Sequence, residues 1–404
     1  MKKLPIGTQD FETLRNLNQL YIDKTSIIFE LINRNRYYFF ARPRRFGKSL
    51  MLSVIKNLYL GKKELFKGLF IYNKHDFQQY PVVYLSFASY SKNKDLKEYI
   101  KNNAIVFLNN QEIKIKDFEF FDLGLIIEEI KQQTKYPVVF LIDEYDKPVL
   151  VHLNDINKAE EIRNFFCDFY TPIKDKDSNI HFFFLTGLTK LMKMNIFSVL
   201  NNLDDISFDE TFSDLVGFTQ DELETNFCDE LQIIANNYKI DYDQLIDFIK
   251  KDYNGYNFGA NHLLYNPWDI INFIQKRKFG YYWADTGIPG SISDFITEKT
   301  VDVKRIIENE RKNKLAIDDI DLRVHNLNNL KLEVLFFYSG YLTIKNITRN
   351  QNYYLKFPNK ETEIIMMKYF LGLSLKNNYN IDEWRSISNN LIQGIISHKE
   401  ELYP

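Results

Sequence analysis

Four short apolar runs punctuate the first half of the chain: YYFFA (37–41), PVVYLSFA (81–88), PVVFLID (137–143) and HFFFLTG (181–187). None alternates cleanly between apolar and polar positions, so each reads as a strand covered on both faces rather than one half in water. The intervals between them are long enough for helical crossovers. Directly after the first run, SLMLSVIKNLYLG sets Leu50, Val54 and Leu58 on one stripe at helical spacing, with Gly61 as a stop. Strands alternating with helices predict an α/β fold built on a parallel sheet.

Beyond residue 215 the pattern turns helical. Thr219 followed three places on by Glu222 forms a capping box, and Asn266 before Pro267 marks a second helix start. From about Asp318, NNLKLEVLFFYSG reads as a helix, the next stretch as two alternating strands around a polar turn, and KETEIIMMKYFLGL as a further helix. Helix, hairpin and helix in that order suggest a winged-helix-like module. The expected organisation is therefore residues 1–215, 216–317 and 318–404 as an α/β domain, a helical lid region and that C-terminal module. No repeat or low-complexity linker separates them.

Composition narrows the class. With 404 residues, 45% apolar and 16% aromatic, the chain has the material for two or three packed cores and is too apolar for disorder. A formal charge of −2 gives no bulk attraction to nucleic acid or to a membrane surface. Cys167 and Cys228 are too few for a disulfide framework or a cysteine zinc site, and His75, His152, His181, His262, His325 and His398 show no ligand spacing. The start, MKKLPIGTQDF, has no apolar run behind its lysines, and no run approaches the ~20 residues that span a bilayer. The expectation is a soluble protein of the cytoplasm.

The chemistry gathers behind the first strand. In ARPRRFGKSL, Gly47-Lys48-Ser49 is the second half of a phosphate-binding loop, but Arg42 stands where the usual pattern places its first glycine. Such a loop works because successive backbone N–H groups point into one concavity at a helix N-terminus. The donors here run from Arg44 through Arg45, Phe46, Gly47, Lys48 and Ser49 to Leu50, with Lys48 reaching the β/γ-phosphates and Ser49 a metal ion. The third run ends in Asp143-Glu144, acids at the strand edge where open α/β sheets bind ligands. Asp143 would hold Mg2+ through water, and Glu144 would polarise the attacking water. Thr186, ending the fourth run, either contacts the γ-phosphate or the lytic water, or merely caps the next helix. The extra run 81–88 between the lysine strand and the carboxylate strand suits a P-loop NTPase with an added central strand and a catalytic glutamate.

With YIDKTSII, ARPRRFGKSL, FLIDEYDKP, LTGLTK, DYNGYNF and YNPWDIINF in this order, the chain resembles the AAA-ATPase-like family, bacterial P-loop ATPases related to the STAND group. The missing first glycine is that family's own form of the loop. The resemblance implies ATP and Mg2+ as ligands. Its members commonly carry a PD-(D/E)XK nuclease-like domain after the helical region, and no strand-borne Asp followed by Glu-x-Lys occurs in the stretch between the hairpin and Pro404, so that domain is expected to be missing here.

Other residues stay open between two readings. Tyr21 to Thr25 either line the nucleotide site or form a helix entry capped by Asp23. Tyr253, Tyr256 and Phe258 line a pocket or simply pack. Arg163 is an arginine offered to a second subunit or half of a surface ion pair. Lys345, Arg349, Lys356 and Lys360 around the hairpin meet DNA phosphates or serve a module used only for packing, the latter being favoured. The whole reads as a Mg2+-dependent ATPase acting as a nucleotide-controlled switch, slow unless a protein partner or second copy supplies an arginine. The rivals are a non-hydrolysing scaffold and a DNA-acting ATPase of a defence or mobile-element system.

Overall fold

The computed structural model describes residues 2–115, 122–190, 200, 202–260, 262–283, 300–323 and 327–376. His325 and His398, and the part of the C-terminal module beyond residue 376, lie outside them. Five strands form one parallel sheet: β1 (Tyr37–Ala41), β2 (Val82–Ser86), β3 (Val138–Asp143), β4 (Ile180–Gly187) and β5 (Asp204–Asp205). Their order across the sheet is β2-β3-β4-β1-β5. The strand that separates β1 from β3 in space is therefore β4. The 81–88 run, which intervenes in sequence, lies at the outer edge, and this corrects which strand is central. β5 is two polar residues that pair with Tyr38 and Phe39, and no periodicity announces it.

The continuous apolar runs follow from a sheet buried on both sides. Phe39, Phe140 and Phe183 face one core with Ile127 and Phe166 of the helices Leu123–Thr134 and Ile156–Asp175. Their neighbours Tyr38, Leu141 and Phe184 face the other, against Leu52 and Ile55 of the helix Lys48–Tyr59.

In the helical region, Gln220–Tyr238 starts at the Thr219/Glu222 capping box and Pro267–Lys276 at an Asn266 cap. Leu223, Phe227 and Phe273 build a third core there, joined by Leu4 and Ile22 from the N-terminal segment. The last segment carries β6 (Ala316–Asp318), β7 (Thr343–Ile347) and β8 (Asn352–Lys356), antiparallel in the order β6-β8-β7. Before the hairpin, all eight residues of the helix Leu332–Ser339 are buried, and Phe336 and Phe337 belong to the core under the main sheet. Among the described residues no helix is long and apolar enough to cross a membrane.

Candidate functional site

The loop from β1 to its helix turns through two left-handed residues, Arg45 at φ +67° and Gly47 at φ +100°. The second conformation is one that glycine adopts without steric cost. Arg42 needs no such freedom, since its φ is not positive. Its side chain turns away from the loop into the protein, where Nη1 donates to Ser207 O (2.6 Å) and Nη2 to Ser213 O (3.2 Å). The guanidinium lies 4.4 Å from the Phe40 ring and 4.2 Å from that of Phe258. The residue that breaks the usual glycine pattern is thus a buried strut between the loop and the 207–213 segment. Burial lowers its pKa to about 9, against the pull of Asp205 and Asp214.

Lys48 is buried, and its Nζ donates to the carbonyls of Arg42 (2.8 Å) and Pro43 (2.9 Å). Burial also lowers its pKa, while Asp143, Glu144 and Asp146 act in the opposite sense. Ser49 Oγ donates to Asp143 Oδ2 at 2.6 Å, so the helix start and the end of β3 meet although β4 runs between their strands. Burial pushes the Asp143 carboxyl up to about 6, Ser49 opposing and Glu144 reinforcing the shift. Among the described residues, Asp143 Oδ1 and Thr186 Oγ1 are both buried without a hydrogen-bond partner. Each such orphan costs on the order of 1–3 kcal/mol unless something supplies the missing bond. An all-oxygen set of serine hydroxyl and carboxylate suits a hard cation such as Mg2+.

Glu144 breaks out of the strand at φ +52° and lines the cavity in front of the loop. That cavity holds about 330 Å³ and is walled by Arg45, Lys48, Ser49, Tyr21, Phe218 and Trp268, among others. The Tyr21–Thr25 stretch leads into the helix Thr25–Arg34, whose N-cap is Lys24 without a side-chain cap bond. Asp23 accepts from Thr25 N (2.8 Å), while Tyr21, Ile22 and Lys24 reach the cavity. Tyr256 and Phe258 pack edge-on against Phe46 of the loop, at 4.9 and 5.4 Å. Arg163 is not at the surface: only 1% of its side chain is exposed, and it pairs with Glu160 at 2.8 Å.

Three contributors lie inside the quoted motifs without a signal that assigns each its role. Asp146 accepts from Leu188 N (3.2 Å) and from Thr189 N and Oγ1 (both 2.6 Å), clamping the exit of β3 to that of β4. Trp268 packs on Arg45 with 4.5 Å between the guanidinium and the ring centroid. Lys24 pairs with Glu222 at 2.6 Å, tying the N-terminal segment to the helical region. The run DEYDKP contains Asp146, and this third acid, two places beyond Glu144, is the available hint.

A parallel sheet whose first strand ends in a Gly-Lys-Ser helix start, facing a strand-end aspartate, is an α/β domain of the phosphate-loop type. Residues 5–197 match the family described as "Predicted AAA-ATPase", and the chain belongs to this AAA-ATPase-like family. It is 35% identical over 383 residues to an uncharacterised protein of the vnfD 5′ region of Azotobacter chroococcum mcd 1, an alignment covering 91% of this chain and 70% of that one. The family supports ATPase-like nucleotide binding.

Proposed function

We propose that the chain binds ATP with Mg2+ in the cavity before Gly47 to Ser49, hydrolyses it, and uses the nucleotide state as a switch. The observation that carries this reading is the Ser49–Asp143 contact beside a buried, unpartnered Asp143 Oδ1. In the proposal the amides from Arg44 to Leu50 cradle the phosphates, and Lys48 exchanges its two loop carbonyls for phosphate oxygens. Ser49 and Asp143 hold Mg2+, which supplies charge neutralisation on the β- and γ-phosphates when bound. Glu144 takes the proton of the attacking water, and Thr186 orients that water or the γ-phosphate.

Residues 1–215 serve as the ATPase domain, 216–317 as the lid and 318–404 as a winged-helix-like module. The hairpin of β7 and β8 after the helix Leu332–Ser339 supports the last assignment, with β6, which pairs with β8, straddling its boundary. Contacts that would report the nucleotide run from Phe46 through Tyr256 to Asn257, whose N–H donates to Thr343 Oγ1 at 2.7 Å. A role in reading DNA is disfavoured because Leu332–Ser339, the helix before the wing, offers no exposed side chain to a groove.

The test is ATP affinity with and without Mg2+ for the wild type and Lys48→Ala, followed by single-turnover hydrolysis. Tight Mg2+-dependent binding lost in Lys48→Ala is expected. Equal single-turnover rates for the wild type and Glu144→Gln would remove Glu144 as the catalytic base, and no hydrolysis by the wild type would leave a non-hydrolysing switch.

A further inference from the structure

We infer that Trp268 is a positioning residue, holding the Arg45 guanidinium edge-on to the polyphosphate so that triphosphate recognition depends on the helical lid. The inference rests on the nucleotide reading above and adds to it a residue from 223 positions further along the chain.

Arg45 sits in the loop at φ +67°, two residues before Gly47, and its guanidinium lies 4.5 Å from the Trp268 ring centroid. A guanidinium on an indole uses its face and leaves its in-plane N–H donors free for a bidentate anion. Arg45 Nε is buried and has no hydrogen-bond partner among the described residues. Burial and the neighbouring Arg44 lower the Arg45 pKa while Glu144 raises it, so this cation feels the acid assigned to the γ-phosphate end. Both Arg45 and Trp268 line the cavity with Lys48 and Ser49.

The indole is itself fixed. Its Nε1 donates to Tyr282 O at 3.0 Å, and its backbone N–H donates to the Asn266 cap at 2.9 Å. Asn266 Nδ2 reaches Arg44 O at 3.5 Å, so the start of the lid helix touches two consecutive loop residues. A cation resting on an aromatic ring, with a buried Nε that has no hydrogen-bond partner and with no carboxylate paired to it among the described residues, is prepared for an anion, and the lid supplies the preparation.

The test is a double-mutant cycle on ATP affinity, measured by calorimetry on the full chain with Mg2+ for Arg45→Ala, Trp268→Leu, the double variant and Trp268→Phe. Expected are losses of about tenfold for each single variant, a double variant no weaker than Arg45→Ala alone, and Trp268→Phe within about threefold of wild type. The inference is overturned by a double variant whose loss is the product of the two single losses. It is equally overturned by a Trp268→Leu affinity equal to wild type, or by a Trp268→Phe loss as large as that of Trp268→Leu. A wild type that binds no ATP defeats the nucleotide reading itself. Binding that needs Lys48 but is indifferent to Trp268 defeats only this inference.

Discussion

Ser49 Oγ and Asp143 Oδ2 lie 2.6 Å apart across 94 residues of sequence, a length typical of a hydroxyl donating to a charged acceptor. The bond satisfies one oxygen of a buried carboxylate and leaves the other orphaned. Both side chains are assigned to the metal, so Ser49→Ala should cost about tenfold in ATP affinity with Mg2+ present and almost nothing in its absence. Calorimetric titrations with excess Mg2+ and with a chelator check this. Equal losses under both conditions would remove Ser49 from the metal.

Glu144 leaves β3 in a left-handed conformation at the rim of the cavity. For Glu144→Gln the expected outcome is a single-turnover rate at least about 100-fold below wild type, the usual scale for losing a general base. ATP affinity should stay within about threefold. Rapid-quench hydrolysis assays separate the two quantities.

Gly187 ends β4 against the turn that follows β3. A Cβ there would lie 2.5 Å from Tyr145 Cδ1 and 2.7 Å from Asp146 Oδ1, and Asp146 is already committed to Leu188 and Thr189. Gly187→Ala should destabilise the fold by about 2–3 kcal/mol, in the range of overpacking. Urea unfolding should show a lower midpoint at unchanged m-value. A wild-type midpoint would mean that the two strand exits relax freely.

Asp269 of the lid helix is fully buried, accepts from Trp283 N at 2.7 Å, and has Glu361 as a neighbour. Burial first, and Glu361 second, raise its pKa well above the ordinary carboxylate value of 3.8. Because the folded state binds this proton more tightly than the unfolded chain, its contribution is full at low pH. It is lost as pH climbs from about 4 through the raised folded value. Asp269→Asn keeps the acceptor and removes the ionisation. The variant should therefore lose less stability than wild type between pH 5 and pH 8, at about constant ionic strength. Chemical denaturation across that range decides it, and parallel curves would show that Asp269 does not titrate there.

Strands and loop were legible for a local reason. A continuous apolar run bounded by polar turns, a Gly-Lys-Ser at a helix start, and Thr219 or Asn266 before a helical stripe each act within a few residues. β1 was read as 37–41 and occupies Tyr37–Ala41, and both caps make their expected hydrogen bonds. Asp143 and Glu144 could be named because a strand edge beside a phosphate loop is a place where acids have a use.

What only the tertiary structure decided is whatever depends on pairing between distant segments. A buried strand carries the same apolar signature wherever it lies in a sheet, so sequence could not tell that β4, not β2, stands between β1 and β3. A polar side chain in a loop does not reveal which way it points. Arg42 became a strut toward Ser207 and Ser213, Arg163 turned inward to Glu160, and Arg45 found an indole on the lid. Chain composition sets which elements form, because hydrogen bonding and burial act along a few turns of backbone. Which of them touch is settled by packing the two faces of the sheet, an outcome of the whole chain at once.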